Sequence, residues 1–202
     1  MQTITGIQIQ KKNRRRYSLF LDGEFAFSVS ERIAGTLHTG SAISSDRLEA
    51  IKSEDEKHRA IEKAFDCLAS RPKSRMEMVA YLENKDFSVA AVSHAVTRME
   101  ELGYINDSEF ARAWVESRLR FRPRGAFGLR YELSSKGVAQ TIIDTALEGF
   151  DENKAAMRAI DSRRKRWKDL DPKKMRIKIL GFLKRRGFSL ETVHTIIDGI
   201  NR

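Results

Sequence analysis

The sequence predicts a mainly α fold: tandem three-helix, helix-turn-helix-like repeats in an elongated array, preceded by a small N-terminal β-hairpin or sheet extension. Three observations carry this expectation. A set of apolar positions recurs with a period near 50 residues, the first thirty residues read as short strands around a basic turn at 11–16, and only 3 prolines and 12 glycines interrupt the 202 residues. A long fixed period is the mark of a repeated supersecondary unit.

The strands come first. Thr3 to Gln10 alternates, with Ile4, Ile7 and Ile9 among polar neighbours. Tyr17 to Leu21 and Glu24 to Val29 are rich in aromatic and β-branched residues and flank Asp22-Gly23. Both central residues of a type I′ turn need positive φ, so this dipeptide predicts a hairpin. A three-stranded sheet is marginal alone and must pack on something. A short helix is expected from Ser30, then a polar break at Thr39-Gly40-Ser41.

From Ser45 the pattern is helical and repeats. Leu82, Leu133 and Leu183 are separated by 51 and 50 residues, and Met78, Leu129 and Ile179 stand one turn earlier on the same face. Val92, Ile143 and Val193 follow the apolar turn residues Phe87, Val138 and Phe188, and Val96, Leu147 and Ile197 complete the register. The helices expected are 60–70, 75–85 and 89–101; 107–121, 125–136 and 139–149; and 153–168, 173–186 and 190–200. Ser74-x-x-Glu77 and Asn106-x-x-Glu109 read as capping boxes, and Ser88 and Ser189 as N-caps. Asp171-Pro172 places a cap before a proline at the first helical position. Gly103, Gly137 and Gly187 stand where helices end in the left-handed conformation. The division expected is 1–44 for the β extension with its short helix, 45–106 for the first unit with a preceding helical linker, 107–151 for the second and 152–202 for the third.

Several function classes find no support in these residues. No stretch approaches the roughly 18–20 apolar residues of a membrane helix. The start, Met1 to Gln10, has no apolar signal core. With one cysteine, Cys67, there is no internal disulfide or cysteine zinc site, and a reducing, cytoplasmic location is expected. His38, His58, His94 and His194 have no metal spacing, Cys67 reads as a small buried residue, and no phosphate-binding glycine loop is present. No catalytic residue, metal or cofactor is therefore assigned. The net charge of +10 is unevenly placed: residues 1–59 carry +2, 60–106 carry −1, 107–151 carry 0 and 152–202 carry +9. A local basic field of this kind attracts phosphate backbones or acidic protein surfaces.

The second unit holds the most specific string. It runs Glu101-Leu102-Gly103-Tyr104-Ile105-Asn106-Asp107-Ser108-Glu109-Phe110-Ala111-Arg112, then Ser117-Arg118-Leu119-Arg120 and Arg124, then Tyr131-Glu132-Leu133-Ser134-Ser135-Lys136-Gly137-Val138. This resembles the RecX family pattern: a Leu-Gly-Tyr-Ile-Asn-Asp turn, a Phe-Ala helix, a basic stretch, and Glu-Leu-x-x-Lys-Gly. The tandem three-helix units are similar to that family too, as are the N-terminal strands with Tyr17-Ser18-Leu19-Phe20-Leu21-Asp22-Gly23-Glu24. In the first repeat the Lys85-Asp86 turn lacks the glycine of the other two. The resemblance implies a regulator of the recombinase RecA that binds RecA and its filament on single-stranded DNA, restraining ATP hydrolysis, strand exchange and co-protease activity. Nonspecific DNA contacts are expected alongside, with no membrane role, and the chain is expected to be a monomer.

The residues expected to meet partner or DNA are cations. Arg118, Arg120, Arg122, Arg124, Arg130 and Lys136 belong to the second unit, because guanidinium groups suit carboxylates and phosphates. Phe121 and Phe127 are interleaved; an exposed ring could stack on a base, but both are expected in the core. The run Arg163-Arg164-Lys165-Arg166 is expected to end a helix, with charges circling it. Lys173, Lys174, Arg176 and Lys178 open the next helix, where positive charge opposes the dipole and an anionic partner would offset it. Lys184, Arg185 and Arg186 are explained by their place at a helix C-terminus. The alternative function is a helix-turn-helix transcription regulator. A reader of bases concentrates Arg, Asn or Gln on one recognition helix, and 89–101 and 139–149 carry little positive charge.

Overall fold

The strand-forming residues pair as the alternation predicts. The structure, a computed structural model, describes residues 1–167 and 170–199 and, within these, all side chains except those of Arg164 and Lys165. Strands β1 (Gln2–Ile9), β2 (Arg16–Leu21), β3 (Glu24–Ser30) and β4 (Ala42–Ile43) form one sheet in the order β3-β2-β1-β4. Each paired strand runs antiparallel to its neighbour. Asp22 (φ 49°) and Gly23 (φ 90°) make the tight turn. The two-residue β4 was not foreseen, being too short to show a period. The short helix α1 (Glu31–Ala34) follows β3. The sheet does pack on something: Ile4, Leu19, Leu21 and Val29 share a core with Leu48 and Ile51 of α2 (Ser45–Leu68). Arg16 clamps the same contact, with both terminal guanidinium nitrogens 2.8 Å from the Asp55 carboxylate oxygens.

Helix α2 corrects one boundary. The linker and the first helix of repeat one are a single 24-residue helix, not a break near residue 60. Its Leu48, Ile51, Asp55, Ala60, Ala64 and Cys67 bury one continuous stripe, whose charged member, Asp55, is paired with Arg16. Repeat one continues with α3 (Arg75–Glu83) and α4 (Val89–Glu101), and repeat two comprises α5 (Asp107–Phe121), α6 (Ala126–Ser134) and α7 (Gln140–Ala146). Repeat three contains α8 (Glu152–Asp161), α9 (Arg164–Trp167), α10 (Pro172–Arg185) and α11 (Leu190–Gly199). Here the expected single helix over 153–168 divides. The Ser162 hydroxyl bonds back to the Ala159 carbonyl, and the Arg163 N–H reaches Ile160, closing α8. Breaking there turns Trp167 into a core with Ile160, Ile179, Leu183 and Val193. Arg163 to Arg166 therefore do not end a continuous helix. Lys168 lies outside the described residues.

Most of the periodic positions are the core, with Phe87 and Ile197 only partly buried. Met78, Leu82, Leu129, Leu133, Ile179 and Leu183 are all buried, as are Val92, Ile143 and Val193. The caps at Ser88, Asn106 and Asp171 each accept backbone N–H groups, and Ser74 and Glu77 form a reciprocal box. Gly137 and Gly187 take φ of 74° and 73°, while Asp86, at φ 60°, serves as the left-handed residue of repeat one. A short polar side chain is the usual substitute for glycine there.

By contacts the chain forms two compact units, Met1–Arg71 with Val79–Leu102, and Pro72–Met78 with Gly103–Arg202. Within the second, repeats join by one rule. The first N–H of a middle helix donates to a carboxylate at the head of the next repeat: Arg75 to Asp107 at 2.8 Å, and Ala126 to Glu152 at 2.8 Å. The preceding residue meets the next repeat's turn, Ser74 through its hydroxyl to the Lys136 carbonyl and Gly125 through its N–H to that of Arg186. The approach is close enough that a Cβ on Gly125 would collide with the Gly187 carbonyl oxygen, and one on Gly128 with that of Arg186. Helix α10 departs from the rule. It begins at Pro172, one turn before Arg176, the counterpart of Arg75 and Ala126.

Candidate partner interface

Helix α6 places the site. Gly128, Leu129 and Leu133 are its buried face. Residues two positions before Leu129 and Leu133 lie about 200° round the helix, so Phe127 and Tyr131 point outward. Phe121, at the end of α5, also faces out. Their exposures are 71% for Phe121, 74% for Phe127 and 72% for Tyr131. The expectation that Phe121 and Phe127 are core residues is therefore wrong. Tyr131 was not singled out, although the offset from Leu129 and Leu133 was the signal that could have found it.

The surrounding cations fall into two groups. The first is held internally. Glu132 accepts from Arg118 Nε at 2.7 Å and from the Trp114 indole at 2.8 Å, and pairs with Arg124 Nε at 2.6 Å. Arg118 and Lys136 both lie over the Trp114 ring, and Lys136 reaches Glu77 at 2.6 Å. Arg130 pairs with Asp144, whose carboxyl is held below its ordinary range first by that hydrogen bond and then by Gln140, against its own desolvation.

The second group keeps its charge available. Arg120 lies over the Phe121 ring, and Arg122 caps α5 in the open. Among the described residues neither has a carboxylate partner. Arg163 covers Phe182. Arg186 covers the same ring and donates to the Pro123 carbonyl at 2.9 Å. Burial first, and then the charges of Arg163, Arg124 and Arg122, pull the Arg186 pKa down. Arg186, at the end of α10, thus belongs to a four-arginine cluster spanning repeats two and three. One carboxylate, Glu132, serves two arginines, so positive charge is in surplus here.

Arg166, Lys173, Lys174, Arg176 and Lys178 are exposed, and among the described residues none has a carboxylate partner. The Arg164 side chain lies outside the described residues. Asp171 caps the N–H groups of Lys173 and Lys174 and partly answers the dipole these lysines oppose. Among the described residues no helix is long and apolar enough to cross a membrane, and no group of three or more His, Cys, Asp or Glu could hold a metal ion.

Comparison with known proteins sets this geometry in a family. The profile described as RecX, second three-helix domain, matches residues 106–147, and that of the regulatory protein RecX N-terminal domain matches residues 2–41. The Regulatory protein RecX of Lactobacillus johnsonii is 32% identical over 206 residues, covering 100% of this chain and 76% of the relative. The chain belongs to the RecX family. That of Bacillus subtilis is 30% identical over 99% of this chain and 78% of its own. That of Chlorobium phaeobacteroides is 36% identical over 71% of this chain and 95% of its own. A crystal structure of regulatory protein RecX superposes with a TM-score of 0.73 at 24% identity, covering 98% of this chain and 100% of the other. The fold is shared with that structure, and the family is one of regulatory proteins. The three exposed rings, with Arg120 and Arg122, lie within the segment the second-domain profile matches.

Proposed function

We propose that this chain binds RecA and its filament on single-stranded DNA, and that it modulates, mostly by inhibiting, the recombinase, ATPase and co-protease activities in recombination and repair. The observation that carries the reading is the strip of three exposed rings among unneutralised guanidinium groups, in the segment that identifies the family. Arg120, Arg122, Arg163, Arg166, Lys173, Lys174, Arg176 and Lys178 are the proposed contact residues. Arg118, Arg124, Arg130 and Lys136 act through the ion pairs that shape the strip, and Arg164 is retained among the contacts. Several weak contacts spread over tandem units raise avidity without strong single ones. We further propose a cytoplasmic monomer needing no cofactor, divided at residues 44, 106 and 151. The rival transcription-regulator reading is less well supported: α7 carries no cation, α4 carries Arg98 and α11 carries no Lys or Arg among its described residues.

The test is the single-stranded-DNA-dependent ATPase rate of RecA with increasing amounts of the protein. Inhibition is expected well below one molecule per RecA protomer, and Arg122→Ala should weaken it. No effect at stoichiometric amounts, with the protein folded, would sink the proposal. Tight binding to one DNA sequence would favour the rival.

A further inference from the structure

We propose that Phe127 and Tyr131, with Phe121 and the guanidinium groups of Arg120 and Arg122, form a sequence-tolerant stacking site for the bases of single-stranded nucleic acid. This rests on the reading above that the chain works on single-stranded DNA, and it assigns the strand a site and a mode of binding.

The rings are the first argument. Aromatic side chains normally bury most of their surface, yet these three are each more than 70% exposed. Phe127 and Tyr131 stand one turn apart on α6, the i,i+4 spacing at which side chains are neighbours. Their faces are not spent on each other's backbone or on the core, which Gly128, Leu129 and Leu133 fill. A π-face of this kind accepts any base, because every base has one.

The alternation is the second argument. Along the chain, cation and ring succeed one another: Arg120, Phe121, Arg122, Arg124, Phe127, Arg130, Tyr131. A single strand presents phosphate and base in the same alternation. A duplex does not, since its base faces are stacked inside. Aromatic and arginine side chains also anchor protein interfaces once a partner packs on them, and that occupant is one outcome of the test below.

The third argument is charge. Arg122, Arg124 and Arg163 are each close enough to act on Arg186, which donates to the Pro123 carbonyl between the repeats, and Arg122 has no carboxylate partner among the described residues. Such a cluster is relieved by phosphate.

The experiment is fluorescence anisotropy of the full chain with two labelled strands of about 16 nucleotides: an oligothymidylate, and an abasic strand of equal length and charge. RecA is absent, so this result and the ATPase result can fail separately. The base-bearing strand should bind about ten-fold more tightly than the abasic one. The Phe127→Ala/Tyr131→Ala double variant should fall to the abasic affinity. Phe127→Trp, which keeps a ring, should retain the preference. Arg122→Ala should weaken both strands alike and reduce the salt slope. Equal affinity for the two strands would overturn the proposal, as would a preference that survives loss of both rings. It would also fall if the double variant bound both strands normally but lost its effect on RecA, because the rings would then contact protein.

Discussion

Asp55 is 4% exposed and pairs with Arg16 at 2.8 Å. It accepts both guanidinium nitrogens and, in addition, the Ser30 N–H at 2.8 Å, so three donors from the hairpin converge on one carboxylate of α2. A buried pair adds little net stability over a well-packed apolar pair, but removing one partner strands the other. Asp55→Ala should therefore cost about 3–5 kcal/mol in urea denaturation, while Arg32→Ala, which breaks an exposed pair with Glu54, should cost under about 1 kcal/mol. Equal effects would show that the buried pair is solvated. None of this was visible in the sequence, where Asp55 reads as one more polar residue in a helix. A bond between residues 39 apart leaves no local trace.

At the scale of the elements, the join between repeats two and three depends on the absence of side chains. Gly125→Ala or Gly128→Ala would drive a methyl into backbone that cannot rotate away. Each should destabilise by about 1–3 kcal/mol or more, whereas Gly199→Ala, where the methyl meets nothing, should not destabilise. Thermal melts of the three variants decide this.

The same join has an acid-sensitive bolt. Burial alone would raise the Glu152 pKa, but donors from Ser189, Ala126 and Thr192 outweigh it and hold the carboxyl below its ordinary 4.5. A folded value below the unfolded one means the stabilisation is complete above about pH 4.5 and is lost as pH falls through the lower folded value. Glu152→Gln should lower the melting temperature at neutral pH and flatten its decline below pH 4.5. An unchanged acid limb would show that other groups govern it.

The elements also show what a pattern can and cannot reveal. The period of Leu82, Leu133 and Leu183 placed the repeats because one buried position per unit is enough to align them. The same leucines fixed the buried face of α6, so the outward aim of Phe127 and Tyr131 was implicit in the sequence. Treating each aromatic as core by type obscured it. The break at Ser162 was harder. It depends on where Trp167 finds its core, which is a tertiary fact.

For the whole molecule, charge placement sets behaviour. Of the net +10, +9 lies in residues 152–202, and the basic residues of α10 have no carboxylate partners among the described residues. Contacts made by such groups release counterions from DNA, so the proposed effect on the RecA ATPase should weaken steeply between about 50 and 200 mM salt. Inhibition that ignored salt would place the essential contacts on the rings and apolar surface instead. Charge distribution was legible from the sequence alone. Which cations remain free was not, because Glu132, Asp144 and Glu77 find their partners only in the folded chain.

Helix α10 starts a turn earlier than α3 and α6, and this changes what its leading N–H groups meet. In α3 and α6 the first helical N–H is an open valence, filled by the carboxylate that heads the following repeat. In α10 the corresponding N–H, at Arg176, lies inside the helix, where the turn begun at Pro172 already supplies its acceptor. The handshake that joins repeats one to two and two to three is therefore replaced at α10 by a local one, in which Asp171 of the same repeat answers the leading N–H groups of Lys173 and Lys174.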